Sequence, residues 1–269
     1  WATNGSCGRM FEQKTLLNAS AVLAPRMISI AFAAGWAVPE RDAAGGDDIT
    51  VLFASGCFWG RQHDLAEFER QTLGRADSEV TSIGGYAGSA DPSSPVCYYN
   101  QGGVGVYSKL GHAEAVSIRL PPTAIALESA SRVFFSSFVP LGNRTFGRED
   151  VFDQGPGYRA FIALPGGLAS PLLPAVRRAN LHGMSLVAGN GSDPDTFGTN
   201  RVYVLDSGAY AFHQAEICLQ FHNNNQDFLS QNIVCNFPNI LRQDFFEHVL
   251  FLLLEKQRKS NLCIKNYVA

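Results

Sequence analysis

Hydrophobic and polar positions change period several times along the chain, and each change marks an element. Residues 49–54 (ITVLFA) are an apolar run of strand length and predict a buried strand. After Gly56 the spacing turns helical, with Leu65, Phe68 and Leu73 as the inward stripe. EVTSIGGY (79–86) predicts a second strand, followed by a long loop containing Gly and Pro up to Gly111. HAEAVSIRL (112–120) alternates as a third strand. Pro121 and Pro122 stop it and open a helix that carries Leu127, Ala130, Phe134 and Phe138. YRAFIAL (158–164) predicts a fourth strand, and a helix around 171–180 leads to a further strand, RVYVLD (201–206).

The order β-α-β-β-α-β predicts an α/β (α+β) fold: a two-layer ferredoxin-like split plait, extended by one αβ unit and ended by an irregular C-terminal segment. With 269 residues, 46% of them hydrophobic and 17% charged, the chain can bury a substantial core. Three divisions are expected. Residues 1–46 form an N-terminal extension, either a targeting segment or a linker; 47–225 form the main domain; 226–269 form a C-terminal tail. The start at Trp1 reads as a fragment, a processed form or an incomplete gene model. MISIAFAAGWAV (27–38) has the length of a targeting core, while it and VLFLLL (249–254) are too short to span a bilayer. A cytoplasmic or organellar protein without a membrane partner is expected. The formal net charge of -3 gives no basic footprint, so no nucleic-acid partner is expected either.

The six cysteines are widely spaced and include no C-x-x-C pair, which suggests neither a zinc cage nor a dense disulfide scaffold. Cys57 stands out because VLFASGCFWG puts it at a strand-to-helix turn with Phe58 and Trp59 directly behind it. A thiol there faces unpaired backbone N–H groups and the positive end of the helix dipole, which favour thiolate and place Cys57 to be a nucleophile. On strand 112–120, Glu114, Val116, Ile118 and Leu120 alternate onto one face. Glu114 is then either a desolvated carboxyl group suited to acid catalysis or a surface glutamate beside a strand end; parity leaves both open.

Four ordered blocks, GCFWG (56–60), GGYAG (84–88) with LGHAEAV (110–116), DQGPGYR (153–159) and FHQAEICLQFH (212–222), resemble peptide-methionine sulfoxide reductase of the A class. GCFWGRQHD with VCYYN is similar to a divergent eukaryotic, algal-like branch. The resemblance covers about residues 48–225 and makes 47–225 the catalytic domain. It implies Cys57 as the nucleophile that attacks the sulfoxide sulfur and becomes a sulfenic acid, and Glu114 as the acid. Phe58 and Trp59 would form the wall that receives the methyl group of the substrate. Asp153 and Tyr158 would line the same pocket, with Tyr98 as the partner tyrosine and Tyr99 and Tyr107 as fallbacks. His112 and Gln214 read as structural, Gln214 by bonding backbone. The resemblance also implies no cofactor and no metal, an external thiol reductant of thioredoxin type or dithiothreitol, and oxidised methionine in proteins or peptides as substrate. A monomer is expected.

The sequence departs from the family pattern in two places. Gln62 stands where the family has a glutamate, with modest consequences if that residue braces the turn. The glycine-rich tail with recycling cysteines is absent, leaving Cys235 as the candidate resolving thiol; Cys97 reads as a small core residue and Cys218 lies in a helical pattern. Asp193 and Asp195 in DPDT read as a turn. The competing readings are another cysteine-nucleophile enzyme, with His63 near Cys57, and a catalytically silent relative that binds methionine-containing segments.

Overall fold

A computed structural model of the chain describes residues 47–99 and 105–224. Its framework is a seven-stranded sheet with β1 (Ile49–Ala54) at the centre. In sequence follow α1 (Phe58–Gln71), β2 (Ile83–Ala87), β3 (Ala113–Leu120), α2 (Ala124–Ser136), β4 (Phe138–Gly142), β5 (Thr145–Arg148), β6 (Phe161–Leu164), α3 (Leu173–Ala179), β7 (Ser185–Ala188), β8 (Arg201–Asp206) and β9 (His213–Gln214). The sheet order is β7-β8-β6-β1-β3-β2-β9, and β4 and β5 pair separately. Within it β1 runs antiparallel to β3 and β6, and β2 antiparallel to β3, whereas β8 runs parallel to β6 and to β7. The fold is thus mixed α/β around a central sheet, with three α-helices among the described residues.

The two faces differ because strand side chains alternate. Val51, Phe53, Val116, Ile118 and Leu120 pack with Phe58, Leu65 and Phe68 of α1 and Leu127, Phe134 and Val176 of the other helices in the larger core cluster. The opposite face carries smaller residues, Leu52, Ala54, Ala113, Ala115 and Ala163, joined by Phe161, Tyr203 and Leu205. No helix among the described residues is long and apolar enough to cross a membrane.

Several element ends differ from the sequence expectation, each for a local reason. The second strand begins at Ile83 and not near Glu79, because the Thr81 and Ser82 amides and hydroxyls donate to the buried Glu69 carboxylate. The fourth strand begins at Phe161. Residues Pro156–Tyr158 form a 3-10 turn, and the Ala160 amide is taken by Thr196 Oγ1 at 2.7 Å. Helix α2, capped at Thr123, ends at Ser136, so Phe138 opens the β4–β5 hairpin. That hairpin and strands β7 and β9 were not expected from the pattern. The proposed extensions 1–46 and 226–269, and Cys235, lie outside the described residues.

Candidate active site

Residue Gly56 makes the turn into α1 with φ of +69°, and a Cβ there would meet Asp153 Oδ2 at 2.7 Å. Cys57 then sits at the N-cap of α1 in extended conformation. A helix start leaves amide donors without intrahelical partners, and here two carboxylates from distant segments take them. The Cys57 N–H donates to Asp153 Oδ2 at 2.7 Å, and the Phe58 N–H donates to Glu114 Oε2 at 2.9 Å. Strand β3 delivers Glu114 on the same face as Val116 and Ile118, with 0% exposure, so of its two readings the surface glutamate falls away.

Burial pushes the Glu114 carboxyl up to about 8, and the charge of Asp153 adds to the rise. The bonds from the Phe58 amide and from Tyr107 act in the opposite direction without cancelling it. The group therefore holds a proton near neutrality while sitting at the residue after Cys57.

Tyrosines crowd the same place. The Tyr107 hydroxyl donates to Glu114 Oε1 at 3.0 Å, and its ring stacks on Tyr86 at 4.7 Å and on Tyr98 at 5.6 Å. Tyr98 and Tyr158 are hydrogen-bonded through their side chains. Burial, and then the charge of Glu114, raises both the Tyr98 and Tyr107 phenols, which keeps them protonated donors. Of the three tyrosines weighed from the sequence, Tyr98 and Tyr107 meet here, whereas Tyr99 is 58% exposed. Tyr158 and Trp59 pack against Cys57. Phe58 is buried between Gly84, where a Cβ would meet its ring at 2.8 Å, and Tyr86, edge-on at 6.0 Å. Trp59 is half-buried and stacked on His222 at 3.7 Å.

The cysteines depart from expectation in their redox state. Cys57 and Cys97 are each disulfide-bonded. The thiolate expected at the helix start is thus absent from this state, and Cys97 is a cross-linked residue as well as a buried one. The backbone around Cys218 forms a 3-10 turn, Ile217–Leu219, rather than a longer helix. No group of three or more His, Cys, Asp or Glu side chains suited to a metal ion occurs among the described residues.

Buried residues outside the expected set hold the site together. Arg159, with 0% exposure, donates to the carbonyls of Pro156, Gly88 and Gly111 and so ties DQGPGYR to both GGYAG and LGHAEAV. Arg148 donates to the Asp153 carbonyl and to Thr196, while Asp195 of the DPDT turn accepts the Gly155 amide. Gln214, expected to bond backbone, has its Nε2 without a hydrogen-bond partner among the described residues. Gln220 bonds backbone: its Oε1 accepts the Gly84 N–H at 2.9 Å and its Nε2 donates to the Gly84 and Ala215 carbonyls. His112 is buried, its ring edge-on to His213 at 4.9 Å, and burial holds it down at about 4. Glu216 accepts the Tyr86 hydroxyl at 2.8 Å and the Tyr98 N–H at 2.9 Å. Glu216 and Gln220 fall inside FHQAEICLQFH, and Arg159 closes DQGPGYR, so block membership was the signal that could have found them.

Cys57 thus stands beside a carboxyl group that is neutral near pH 7 and beside a cluster of phenols. Residues 49–165 match the family model described as peptide methionine sulfoxide reductase. Two curated relatives carry the name peptide methionine sulfoxide reductase MsrA. The one from Salinispora arenicola is 34% identical over 115 residues, which is 42% of this chain and 43% of the relative. The one from Salinispora tropica is 33% identical over 112 residues, with the same shares of 42% and 43%. The chain therefore spans less than half the length of the curated relatives it matches. Methionine sulfoxide reductase A of Corynebacterium diphtheriae, a solved structure, aligns at a TM-score of 0.43 and 17% identity, covering 68% of this chain and 77% of that one. Over residues 49–165 the chain is thus similar to methionine sulfoxide reductases of the A type.

Proposed function

We propose that the protein is a cofactor-free oxidoreductase that reduces the S epimer of methionine sulfoxide, in peptides and proteins and as the free amino acid, to methionine. The observation that carries this reading is the buried Glu114 carboxyl, neutral near pH 7 and bonded to the amide that follows Cys57. Reduced Cys57 attacks the sulfoxide sulfur as a thiolate. With one proton delivered to the sulfoxide oxygen by Glu114, the products are a Cys57 sulfenic acid and the methionine thioether. Tyr98 and Tyr158 hold the oxygen as its charge grows, and Trp59 with Phe58 forms the apolar wall for the methyl group. Asp153 fixes the helix start by accepting the Cys57 amide.

A second thiol then condenses with the sulfenic acid, releasing water and leaving a disulfide, which a thioredoxin-type dithiol or dithiothreitol opens. The disulfide-bonded state of Cys57 is consistent with the oxidised end of that cycle. Cys235 or the external thiol supplies the second sulfur. Residues 47–225 are the catalytic domain, between flanking segments 1–46 and 226–269, and the sheet order β6-β1-β3-β2 supports reading its core as a ferredoxin-like split plait. The enzyme acts as a monomer in the cytoplasm or an organelle.

The test is reduction of dabsylated methionine sulfoxide epimers with dithiothreitol. Turnover of the S epimer is expected; turnover of the R epimer alone, or of neither, sinks the reading. A cysteine hydrolase is less well supported, because the two carboxyl groups at the helix start, Asp153 and Glu114, accept the Cys57 and Phe58 backbone amides.

A further inference from the structure

We infer that Glu216 is a positioning residue of this site: its carboxylate holds Tyr86 and Tyr98, and through them fixes where the Tyr98 and Tyr107 hydroxyls stand around Glu114. The inference rests on the reading of the site given above and adds to it a residue that touches neither the substrate nor the reacting atoms.

The bridge between Cys97 and Val106 explains why Tyr98 needs an outside anchor. That bridge uses the Cys97 N–H, which donates to Gly105, and the Cys97 carbonyl, which accepts from Tyr107. The Tyr98 N–H turns away from it to Glu216 Oε1 at 2.9 Å. The second oxygen of Glu216 accepts the Tyr86 hydroxyl at 2.8 Å. Tyr86 lies opposite Glu114 across β2 and β3, and its ring lies on Tyr107 at 4.7 Å and 16°. Tyr107 in turn bonds Glu114, and Tyr98 bonds Tyr158. One carboxylate therefore fixes one tyrosine by its backbone and a second by its hydroxyl, and the third is clamped between their rings.

Both partners of Glu216 are donors, so a bare pair of acceptor oxygens suits the position and an apolar side chain does not. Glu216 is 7% exposed, which makes the loss of either bond costly to the geometry. Glutamine is the conservative replacement. Its Oε1 can still accept the Tyr98 amide, and its NH₂ can donate to the Tyr86 oxygen.

Two measurements on the full chain test this. The first is the single-turnover rate of methionine-S-sulfoxide reduction for Glu216→Ala, Glu216→Gln, Tyr98→Phe/Tyr107→Phe and the combined variants. Glu216→Ala is expected to lose up to about 10²-fold in rate with substrate affinity little changed, as small misplacements of reacting groups do. Glu216→Gln is expected to recover most of that loss. In the double-phenylalanine background the alanine substitution should cost within about twofold, because the hydroxyls it places are gone. Full additivity overturns the inference, since a merely structural role adds to any background.

The second measurement does not depend on activity. Glu114 is followed through its carboxyl ¹³C resonance in glutamate-labelled protein, where its midpoint should move upward in Glu216→Ala as the Tyr107 bond that holds it down is loosened. An unmoved midpoint overturns the positioning role. If the wild-type protein reduces no sulfoxide, the proposed activity fails and the titration alone decides the role of Glu216.

Discussion

The Phe58 amide donates to Glu114 Oε2 at 2.9 Å, which places a wholly buried carboxyl group one residue from Cys57. With its titration held up at about 8, Glu114 is protonated at neutral pH and able to give that proton away. Glu114→Gln keeps the shape and can still donate a hydrogen bond, but it has no proton to release. Its single-turnover rate should fall by about 10²–10⁴-fold near pH 7, the usual range for a general acid. The deficit should shrink as pH falls and solvent supplies protons. Rates across a pH series check this; a variant within about threefold of wild type at every pH, well short of the acid-catalysis range, removes Glu114 from the chemistry.

The same carboxyl group makes stability depend on pH in an unusual direction. Between its ordinary 4.5 and the folded-state value of about 8, Glu114 carries a proton when folded and has lost it when unfolded. Its contribution is complete below the lower value and is lost as pH rises through the upper one. Wild type minus Glu114→Gln should therefore show a stability difference that declines with pH across that window, with a slope approaching about 1.4 kcal/mol per unit. Urea unfolding of the two proteins from pH 5 to 9 measures it, and a flat difference contradicts the burial argument.

How much of this was legible in the sequence follows from the range of each interaction. The strand-to-helix turn at Cys57 and the face on which Glu114 lies are local properties, set by a change of period and by alternation along one strand. The partners of Tyr86, Tyr98 and Gln62 are not local. Glu216 lies 118 residues beyond Tyr98, and Gln220 lies 158 beyond Gln62. No spacing rule reaches across such distances, so Gln214 and Gln220 could not be told apart by pattern. The β4–β5 hairpin has no strand signature, because Val139 and Leu141 are exposed and give no apolar stripe, and Pro140 and Gly142 are poor strand formers. No local pattern brings Tyr107 to Tyr98; the return of the loop after Gly105 sets their rings 5.6 Å apart.

Because Cys57 is disulfide-bonded, sulfoxide reduction should require prior opening of that bond. Iodoacetamide is expected to spare Cys57 until dithiothreitol is added, and a single addition of methionine-S-sulfoxide should yield no methionine burst before reduction. After reduction, a dimedone adduct should form first on Cys57, and Cys57→Ser should abolish the burst, since a serine hydroxyl stays un-ionised where a thiolate is needed. Mass spectrometry of the adducts decides; first labelling at Cys97 or Cys235 would contradict the assignment.

Gln62 stands where the family that the sequence resembles has a glutamate, and its surroundings predict that a glutamate would not be tolerated here. Its Nε2 donates to the Ser82 carbonyl at 3.1 Å and to Gln220 Oε1 at 2.8 Å, while its Oε1 accepts the Phe221 N–H at 2.7 Å. Gln62→Glu keeps the acceptor but turns an oxygen toward two other acceptors in a site with 0% exposure. Leaving those groups unsatisfied should cost about 1–3 kcal/mol, and more once the carboxyl group ionises. A protonated glutamate can restore one of the two donations, so the loss should be smaller at pH 5 than at pH 8. The segment that Gln62 holds also carries His222, stacked on Trp59 at 3.7 Å. Its release should therefore change the tryptophan emission before the sheet unfolds. Urea titrations followed in parallel by fluorescence and far-ultraviolet circular dichroism test both statements. Coincident, wild-type-like transitions at pH 8 would show that Gln62 bears no load from the 220–222 segment.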